Sequence, residues 1–88
     1  MKAKIRKDLA WRRVGAELFV VDAAGSRLHE LNGTAALAWE GLAAGKDADR
    51  IAAAIAEEFE VGRAEAGADL AEFMKKLVAA GLLQKAEE

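Results

Sequence analysis

Carboxylates are the side chains that come nearest to a catalytic set in this sequence. Asp47 and Asp49 lie where a helix is predicted to begin, and acidic side chains at that position interact favourably with the helix dipole. Three further acids lie on the solvent face of that helix, opposite its apolar residues: Glu57, Glu58 and Glu60. No general base, metal ligand or nucleophile accompanies either group, so we predict that both are structural.

The other residues that could take part in catalysis are isolated. His29 is the single histidine, and the absence of cysteine excludes thiol nucleophiles and cysteine-based zinc sites. The segment Asn32-Gly33-Thr34 could form a phosphate-binding turn, but it lacks the lysine and the repeated glycines of a P-loop. A helix cap by Asn32 or Thr34 explains it better. We therefore expect a protein that is not an enzyme and that has no metal or cofactor.

Length and composition limit the architecture. The chain has 88 residues, of which 53% are hydrophobic and 32% are charged, and this suits a single folded domain over residues 1–88. No apolar run reaches the roughly 18 residues of a membrane span, and no signal-peptide core follows the basic start. We expect a cytoplasmic protein that does not contact a membrane.

Positive charge is concentrated at the start of the chain. The first 13 residues contain one acid, Asp8, and six cations: Lys2, Lys4, Arg6, Lys7, Arg12 and Arg13. The net charge of the whole chain is −2, so the remainder is acidic. We interpret residues 1–8 as a basic arm, which is either a flexible, solvated terminus or a contact for nucleic acid or an acidic peptide.

Strand patterns fill the first third of the chain. Three short runs are predicted to form an antiparallel meander: residues 11–14, 17–22 and 27–31. The middle run is apolar without interruption between its terminal acids, which predicts burial on both faces, or one face against helices and the other against another partner. In the third run, alternation divides the side chains between two faces: Leu28 and Glu30 against Arg27, His29 and Leu31.

Helical spacing replaces strand spacing after the third run. The first helix is expected to end at Gly45, and the second is capped by Asp47 or Asp49. The third begins between residues 63 and 68 and ends at Gly81. A three-stranded antiparallel sheet followed by three helices is an α+β fold, and the last two helices give it a winged helix-turn-helix arrangement.

The third strand and the third helix form the candidate binding site. A short strand after a turn is expected at the sheet edge, where a peptide can add as a further strand. The third helix would supply an apolar wall, with some residues mainly in the core (Leu70, Phe73, Leu77) and others more available to a ligand (Met74, Lys75, Lys76). The predicted peptide-binding residues are Arg27, Leu28, His29, Glu30, Leu31, Leu70, Phe73, Met74, Lys75, Lys76 and Leu77.

Two other functions compete with peptide binding. In the third helix three cations balance three acids, and a neutral recognition helix disfavours binding to duplex DNA. A winged-helix DNA-binding regulator is therefore the weaker alternative. The other is a small self-associating docking module, because an open strand edge also permits a homodimer.

Five short segments of the chain form a recognisable pattern. Each segment alone is a weak signal, but their order and spacing together are specific. They are Trp11-Arg12-Arg13-Val14-Gly15, Glu17-Leu18-Phe19-Val20-Val21-Asp22, Leu31-Asn32-Gly33-Thr34-Ala35-Ala36, Trp39-Glu40 and Ala80-Gly81-Leu82-Leu83. Together they resemble the PqqD-like family, which includes the pyrroloquinoline quinone biosynthesis protein D and the recognition domains of ribosomally made, modified peptides. The resemblance covers residues 9–84 and implies a three-stranded sheet followed by three helices.

The resemblance also implies a peptide chaperone without catalytic activity. Members of the family bind the leader of a precursor peptide as an extra strand on the third strand, beside the third helix. They present it to a modifying enzyme, often a radical S-adenosylmethionine protein. Carried onto this chain, the edge strand is residues 27–31 and the wall is the apolar face of the third helix. We add the expectation that Lys75 and Lys76 attract acidic leader residues.

One segment departs from the pattern of proteins dedicated to pyrroloquinoline quinone. Those proteins usually have a tyrosine-proline segment after the second strand, where this chain has Asp22-Ala23-Ala24-Gly25. The departure favours another pathway within the PqqD-like class.

Overall fold

Eight secondary-structure elements make up the part of the chain that the structure describes. This computed structural model describes residues 2–86. In chain order the elements are β1 (Lys2–Ile5), β2 (Ala10–Val14), β3 (Glu17–Asp22), β4 (Arg27–Asn32), α1 (Gly33–Ala43), α2 (Ala48–Phe59), α3 (Arg63–Ala79) and β5 (Leu83–Ala86). The sheet β2-β3-β4 and the three helices confirm the predicted α+β fold, and β1 and β5 are additions to it.

The central sheet has β3 in the middle and β2 and β4 at its edges. Both pairings are antiparallel, and His29 of β4 lies opposite Val20 of β3. The turn from β3 to β4 is held by Asp22, whose carboxylate accepts a hydrogen bond from the N–H of Gly25 at 3.2 Å. This turn fixes the register of β4 against β3.

The central sheet is buried on one face only. On the inner face of β3, Leu18 and Val20 are fully buried. On its outer face, Phe19 is half-buried and Val21 keeps 43% of its surface exposed. Burial of this strand on both faces is therefore wrong, whereas the alternative of one face packed against helices agrees with the structure. An apolar run does not show by itself which of its faces meets a helix.

Two of the three helix starts follow the sequence signals. The side chain of Asp47 accepts a hydrogen bond from the N–H of Arg50 at 2.8 Å and caps α2 as predicted. α3 begins at Arg63, the early end of the predicted range. α1 follows Asn32, but the Asn32 side chain makes no capping hydrogen bond and Thr34 lies inside the helix, so the predicted side-chain cap is wrong. No helix within residues 2–86 is long and apolar enough to cross a membrane.

Two clusters of buried side chains form the core. The first joins the sheet to α1, α3 and β5, and its members are Leu18, Val20, Ala36, Trp39, Leu77, Leu82 and Leu83. The second joins the three helices, and its members are Ala38, Ile51, Ala52, Ile55, Ala66 and Leu70. Phe73 and Met74 pack against both clusters, so α3 connects the two halves of the core. Gly41 permits the close approach of α1 and α2, because a Cβ there would lie 2.7 Å from Cγ1 of Ile51.

A second, two-stranded antiparallel sheet forms where β1 pairs with β5. Directly after β1, Arg6 donates hydrogen bonds to the carbonyl of Gly81 at 2.9 Å and to the carboxylates of Asp8 at 2.6 Å and Asp22 at 3.3 Å. The two carboxylates raise the pKa of Arg6, and Arg6 in turn lowers the pKa of Asp8. Asp22 is only 4% exposed, so Arg6 neutralises a buried carboxylate. Residues 2–5 of the predicted basic arm are thus strand β1.

Candidate functional site

β4 presents a free backbone edge. The order β2-β3-β4 leaves one side of β4 without a hydrogen-bonded strand among residues 2–86. In an antiparallel pair, alternate residues direct both backbone groups at the neighbouring strand, and the residues between them direct theirs away. Half of the six residues of Arg27–Asn32 therefore offer N–H and C=O groups to an added strand. The predicted edge position of this strand is confirmed.

α3 packs against the same core cluster as β4. Leu31 of β4 packs against the same core cluster as Phe73 and Leu77 of α3. Every Cα of β4 nevertheless lies more than 8 Å from every Cα of α3. An added strand would lie roughly 4.8 Å from β4, along its free edge. We call the space between the free edge of β4 and α3 the β4–α3 groove.

The side chains of β4 alternate between the two faces of the sheet, as predicted. Leu28 and Glu30 lie on the outer face, where Leu28 keeps 66% of its surface exposed. His29 and Leu31 are half-buried on the inner face. Arg27, at the start of the strand, is exposed. An added strand would therefore meet an exposed outer face and a partly covered inner face.

Two polar groups on β4 lack a favourable partner. The carboxylate of Glu17 on β3 raises the pKa of Glu30, by hydrogen bonding first and by charge repulsion second. The Nε2 atom of His29 is buried and has no hydrogen-bond partner within the described part of the chain. A polar group from a ligand would be favourable at either place, because unpaired or like-charged groups cost free energy. No cluster of three or more His, Cys, Asp or Glu side chains in residues 2–86 could hold a metal ion.

The predicted wall residues of α3 do not form one surface. Leu70 and Leu77 are 3% and 4% exposed and belong to the core, as expected. The other four divide between two flanks of the helix: Phe73 and Lys76 on one, Met74 and Lys75 on the other. Successive helix residues are rotated by about 100°, which is why neighbouring lysines point to different flanks.

The flank with Phe73 and Lys76 borders a pocket near the end of β4. α1 begins directly after β4, and its first turns form one wall of this pocket. The pocket has a volume of about 210 Å³ and is lined by Thr34, Ala35, Ala38, Ile55, Asp69, Leu70, Glu72, Phe73 and Lys76. Its apolar residues come from all three helices, whereas its charged residues come from α3 alone. We call it the anchor pocket.

Most residues that line the anchor pocket are not among those predicted from the sequence. The sequence assigns Thr34 to a helix cap, and Asp69 and Glu72 only to the overall charge of the third helix. The spacing of residues 69, 72, 73 and 76 is a signal that could find them, because positions three and four apart share one helix face.

A larger cavity lies on the opposite flank of α3. It has a volume of about 610 Å³ and is lined by Ala48, Asp49, Ala52, Gly67, Leu70, Ala71, Met74, Lys75, Val78, Ala79 and Leu83. We call it the rear groove. Met74 and Lys75 line the rear groove and not the anchor pocket.

The sheet with one open edge, followed by three helices, defines a class of small α+β domain. Residues 17–83 match the family model described as "Coenzyme PQQ synthesis protein D (PqqD)". This match covers more than half of the chain, and the chain belongs to the PqqD family. The resemblance seen in the sequence is confirmed. No curated protein matches the chain in sequence.

Two solved structures share the fold over almost its whole length. "TbiB1 in Complex with the TbiA(beta) Leader Peptide" superposes with a TM-score of 0.88 at 24% sequence identity, covering 97% of this chain and 99% of that chain. "Lasso peptide synthetase B1 complexed with the leader peptide" gives a TM-score of 0.86 at 24% identity, covering 97% and 100%. At this identity the likeness establishes the fold.

Proposed function

We propose that this protein is a non-enzymatic peptide adaptor, which binds the leader of a ribosomally made precursor peptide as a fourth strand on β4. The observation that carries the proposal is the free edge of β4, which packs against the same core cluster as α3. Backbone hydrogen bonds to the edge would supply affinity, and side-chain contacts along the groove would supply selectivity. The whole chain would act as one recognition domain.

The proposed contacts come from β4 and from the flank of α3 that borders the groove. The β4 residues are Arg27, Leu28, His29, Glu30 and Leu31. Of the α3 residues predicted from the sequence, Leu70, Phe73 and Lys76 line the anchor pocket and are the ones we expect a leader to touch. Leu77 would support them from the core. Met74 and Lys75 would contribute only indirectly, because they line the rear groove.

The comparisons support a peptide as the ligand. The two similar structures are described with a leader peptide bound, which is a property of those proteins. This chain shares their fold and belongs to the PqqD family. We extend leader binding to it because β4 supplies the free edge that strand addition requires.

An adaptor of this kind also needs an enzyme that modifies the precursor. We propose that such an enzyme, of the radical S-adenosylmethionine type or another, is a second partner of this protein in the cytoplasm. Occupation of the β4 edge would leave the outer face of the sheet free, where Val14 and Val21 are 54% and 43% exposed. Leader and enzyme could therefore be held at the same time.

A scan of backbone methylation in the peptide tests strand addition directly. The leader of a short precursor encoded beside this gene would be synthesised as a series, each member with one N-methylated amide. Methylation removes one backbone donor and leaves the side chain in place. Because only alternate amides of an added strand point at β4, the loss of affinity should repeat every second residue.

Two outcomes would count against the proposal. Equal sensitivity at successive amides, or none at all, would mean that the peptide binds through side chains and not as a strand. Binding of duplex DNA with no binding of the leader would favour the winged-helix regulator.

A further inference from the structure

We propose, on the basis of the proposed function, that the groove selects a basic leader segment. The leader would place one apolar side chain in the anchor pocket and would carry lysine or arginine within two residues of that side chain. This names the chemistry of the peptide that the site accepts.

The floor of the anchor pocket requires an apolar side chain. Ala35 and Ala38 of α1 leave space that Ile55, Leu70 and Phe73 enclose. The volume of about 210 Å³ gives room for one large side chain and no more than one. An apolar residue of the leader would be buried there, and burial of apolar surface is favourable.

Acidic side chains dominate the pocket end of the groove. Asp69 and Glu72 lie on the pocket rim, and Lys76 is the single cation among the lining residues. On the outer face of the sheet, Glu30 of β4 lies beside Glu17 of β3. Two carboxylates thus line the pocket against one lysine. Two more lie on the outer face of the sheet, where the register also places Arg12 of β2 in the same row as Glu30.

The cations nearest in sequence are elsewhere. Arg27 lies at the opposite end of β4, five residues before Asn32, which is about 17 Å of extended chain. Lys75 lines the rear groove, on the other flank of α3. Neither can neutralise the acids at the anchor pocket. The geometry therefore favours a basic leader, whereas Lys75 and Lys76 in the sequence predict an acidic one.

Both faces of a leader strand would meet these acids. Side chains alternate along a strand, so residues two away from the anchored one share its face and approach Asp69 and Glu72. The residues next to the anchored one face outward, on the side of Glu30. Opposite charges across strands stabilise a pair and like charges destabilise it. A cation there would also relieve the repulsion between Glu30 and Glu17.

Selection from a peptide library tests the inference without knowledge of the natural leader. A display library of nine-residue peptides with leucine fixed at the centre would be selected on the full-length protein at low salt. We expect lysine and arginine to be enriched within two residues of the leucine. For the variant Asp69→Lys/Glu72→Lys, the preference should shift towards aspartate and glutamate.

Synthetic peptides then give the size of the effect. Two peptides that differ only in lysine or glutamate on both sides of the leucine should differ in Kd by about tenfold at low salt, with lysine tighter. Added salt should shrink this ratio to about twofold, because exposed charges are screened.

The variant Glu57→Lys/Glu58→Lys is the matched control. It changes the net charge by the same amount, at exposed α2 residues that line neither cavity. It should leave the lysine preference close to that of the unchanged protein. An equal shift in this control would show that net charge, and not the pocket rim, sets the preference, and the inference would be wrong.

The remaining outcomes separate the inference from the proposed function. Enriched peptides with no charge preference, or with an acidic one, overturn the basic-leader inference and leave strand addition intact. A selection that enriches no peptide contradicts peptide binding itself, and the inference fails with it.

Discussion

The two edges of the central sheet differ in how they are protected. On β2, the guanidinium of Arg13 donates two hydrogen bonds of 2.8 Å to the carboxylate of Glu40 on α1, and Arg12 adds a second charge. On β4, Leu28 is exposed and the edge faces the β4–α3 groove. Charged side chains on an edge strand discourage pairing with another chain. The difference is that an ion pair ties β2, which we call the guarded edge, to a helix, whereas Arg27 and Glu30 of β4 form no ion pair in the described structure.

A proline substitution should give the largest difference in leader affinity between the two edges. Leu28→Pro removes a β4 backbone donor and should weaken leader binding by about a hundredfold or more. The matched change on the guarded edge, Arg12→Pro, should leave leader affinity unchanged. Calorimetric titration measures both, after an amide NMR spectrum has shown that each variant is folded.

The direction of each amide decides which proline is informative. If the Leu28 amide is bonded to β3, Leu28→Pro loses that hydrogen bond and is not expected to fold. His29→Pro is then the substitution on the open side, because amide directions alternate along a strand. Undiminished leader affinity in the folded variant would remove β4 from the binding site.

A core substitution should have the next largest effect, on stability. Leu77 anchors α3 beneath the groove, and Leu77→Ala should lower the free energy of unfolding by about 2–5 kcal/mol. Val78→Ala, at a side chain that is 37% exposed, should cost much less. Urea denaturation measures both. Equal losses would contradict the assignment of Leu77 to the core.

The ion pair that guards β2 should give a smaller effect that depends on pH. Arg13 holds the pKa of Glu40 below its ordinary value of 4.5. Because the folded-state pKa is lowered, the pair stabilises the protein above pH 4.5 and the contribution is lost as the pH falls through the folded-state value. Arg13→Gln should therefore reduce the free energy of unfolding at neutral pH, and the reduction should shrink as the pH falls below 4.5.

The control for this pH dependence is the neighbouring arginine. Arg12→Gln makes the same change in charge, and Arg12 forms no ion pair with Glu40 in the described structure. A difference between Arg13→Gln and the unchanged protein that stays constant with pH would show that the ion pair does not contribute to stability.

The smallest effect is expected on the open edge. Glu17→Gln removes the charge that raises the pKa of Glu30, so that pKa should fall towards its ordinary value. Carboxyl-carbon NMR, followed through an acid titration, measures the change at Glu30. An unaltered pKa would mean that Glu17 is not the cause of the shift.

The central fold could be predicted from local patterns. Residues 17–22 are rich in strand formers, and Asp47 caps α2 by the hydrogen bond that its side chain allows. β1 and β5 have four residues each and pair across the whole length of the chain. Such short elements depend on tertiary contacts, including the hydrogen bond from Arg6 to Gly81, and so carry little local signal.

The site could be predicted only in part. The open edge at residues 27–31 follows from the order of the strands along the chain. The helix wall does not, because the face of α3 that meets the sheet depends on how three helices pack together. Phe73 and Met74 are neighbours in sequence, yet only Phe73 lines the anchor pocket.

The most direct test of strand addition is an NMR structure of the labelled protein bound to the leader peptide. We expect backbone contacts between the leader and Arg27–Asn32, together with side-chain contacts at Phe73 and Lys76. Contacts confined to Ala10–Val14 or to the rear groove, with Arg27–Asn32 unchanged, would contradict binding at the open edge.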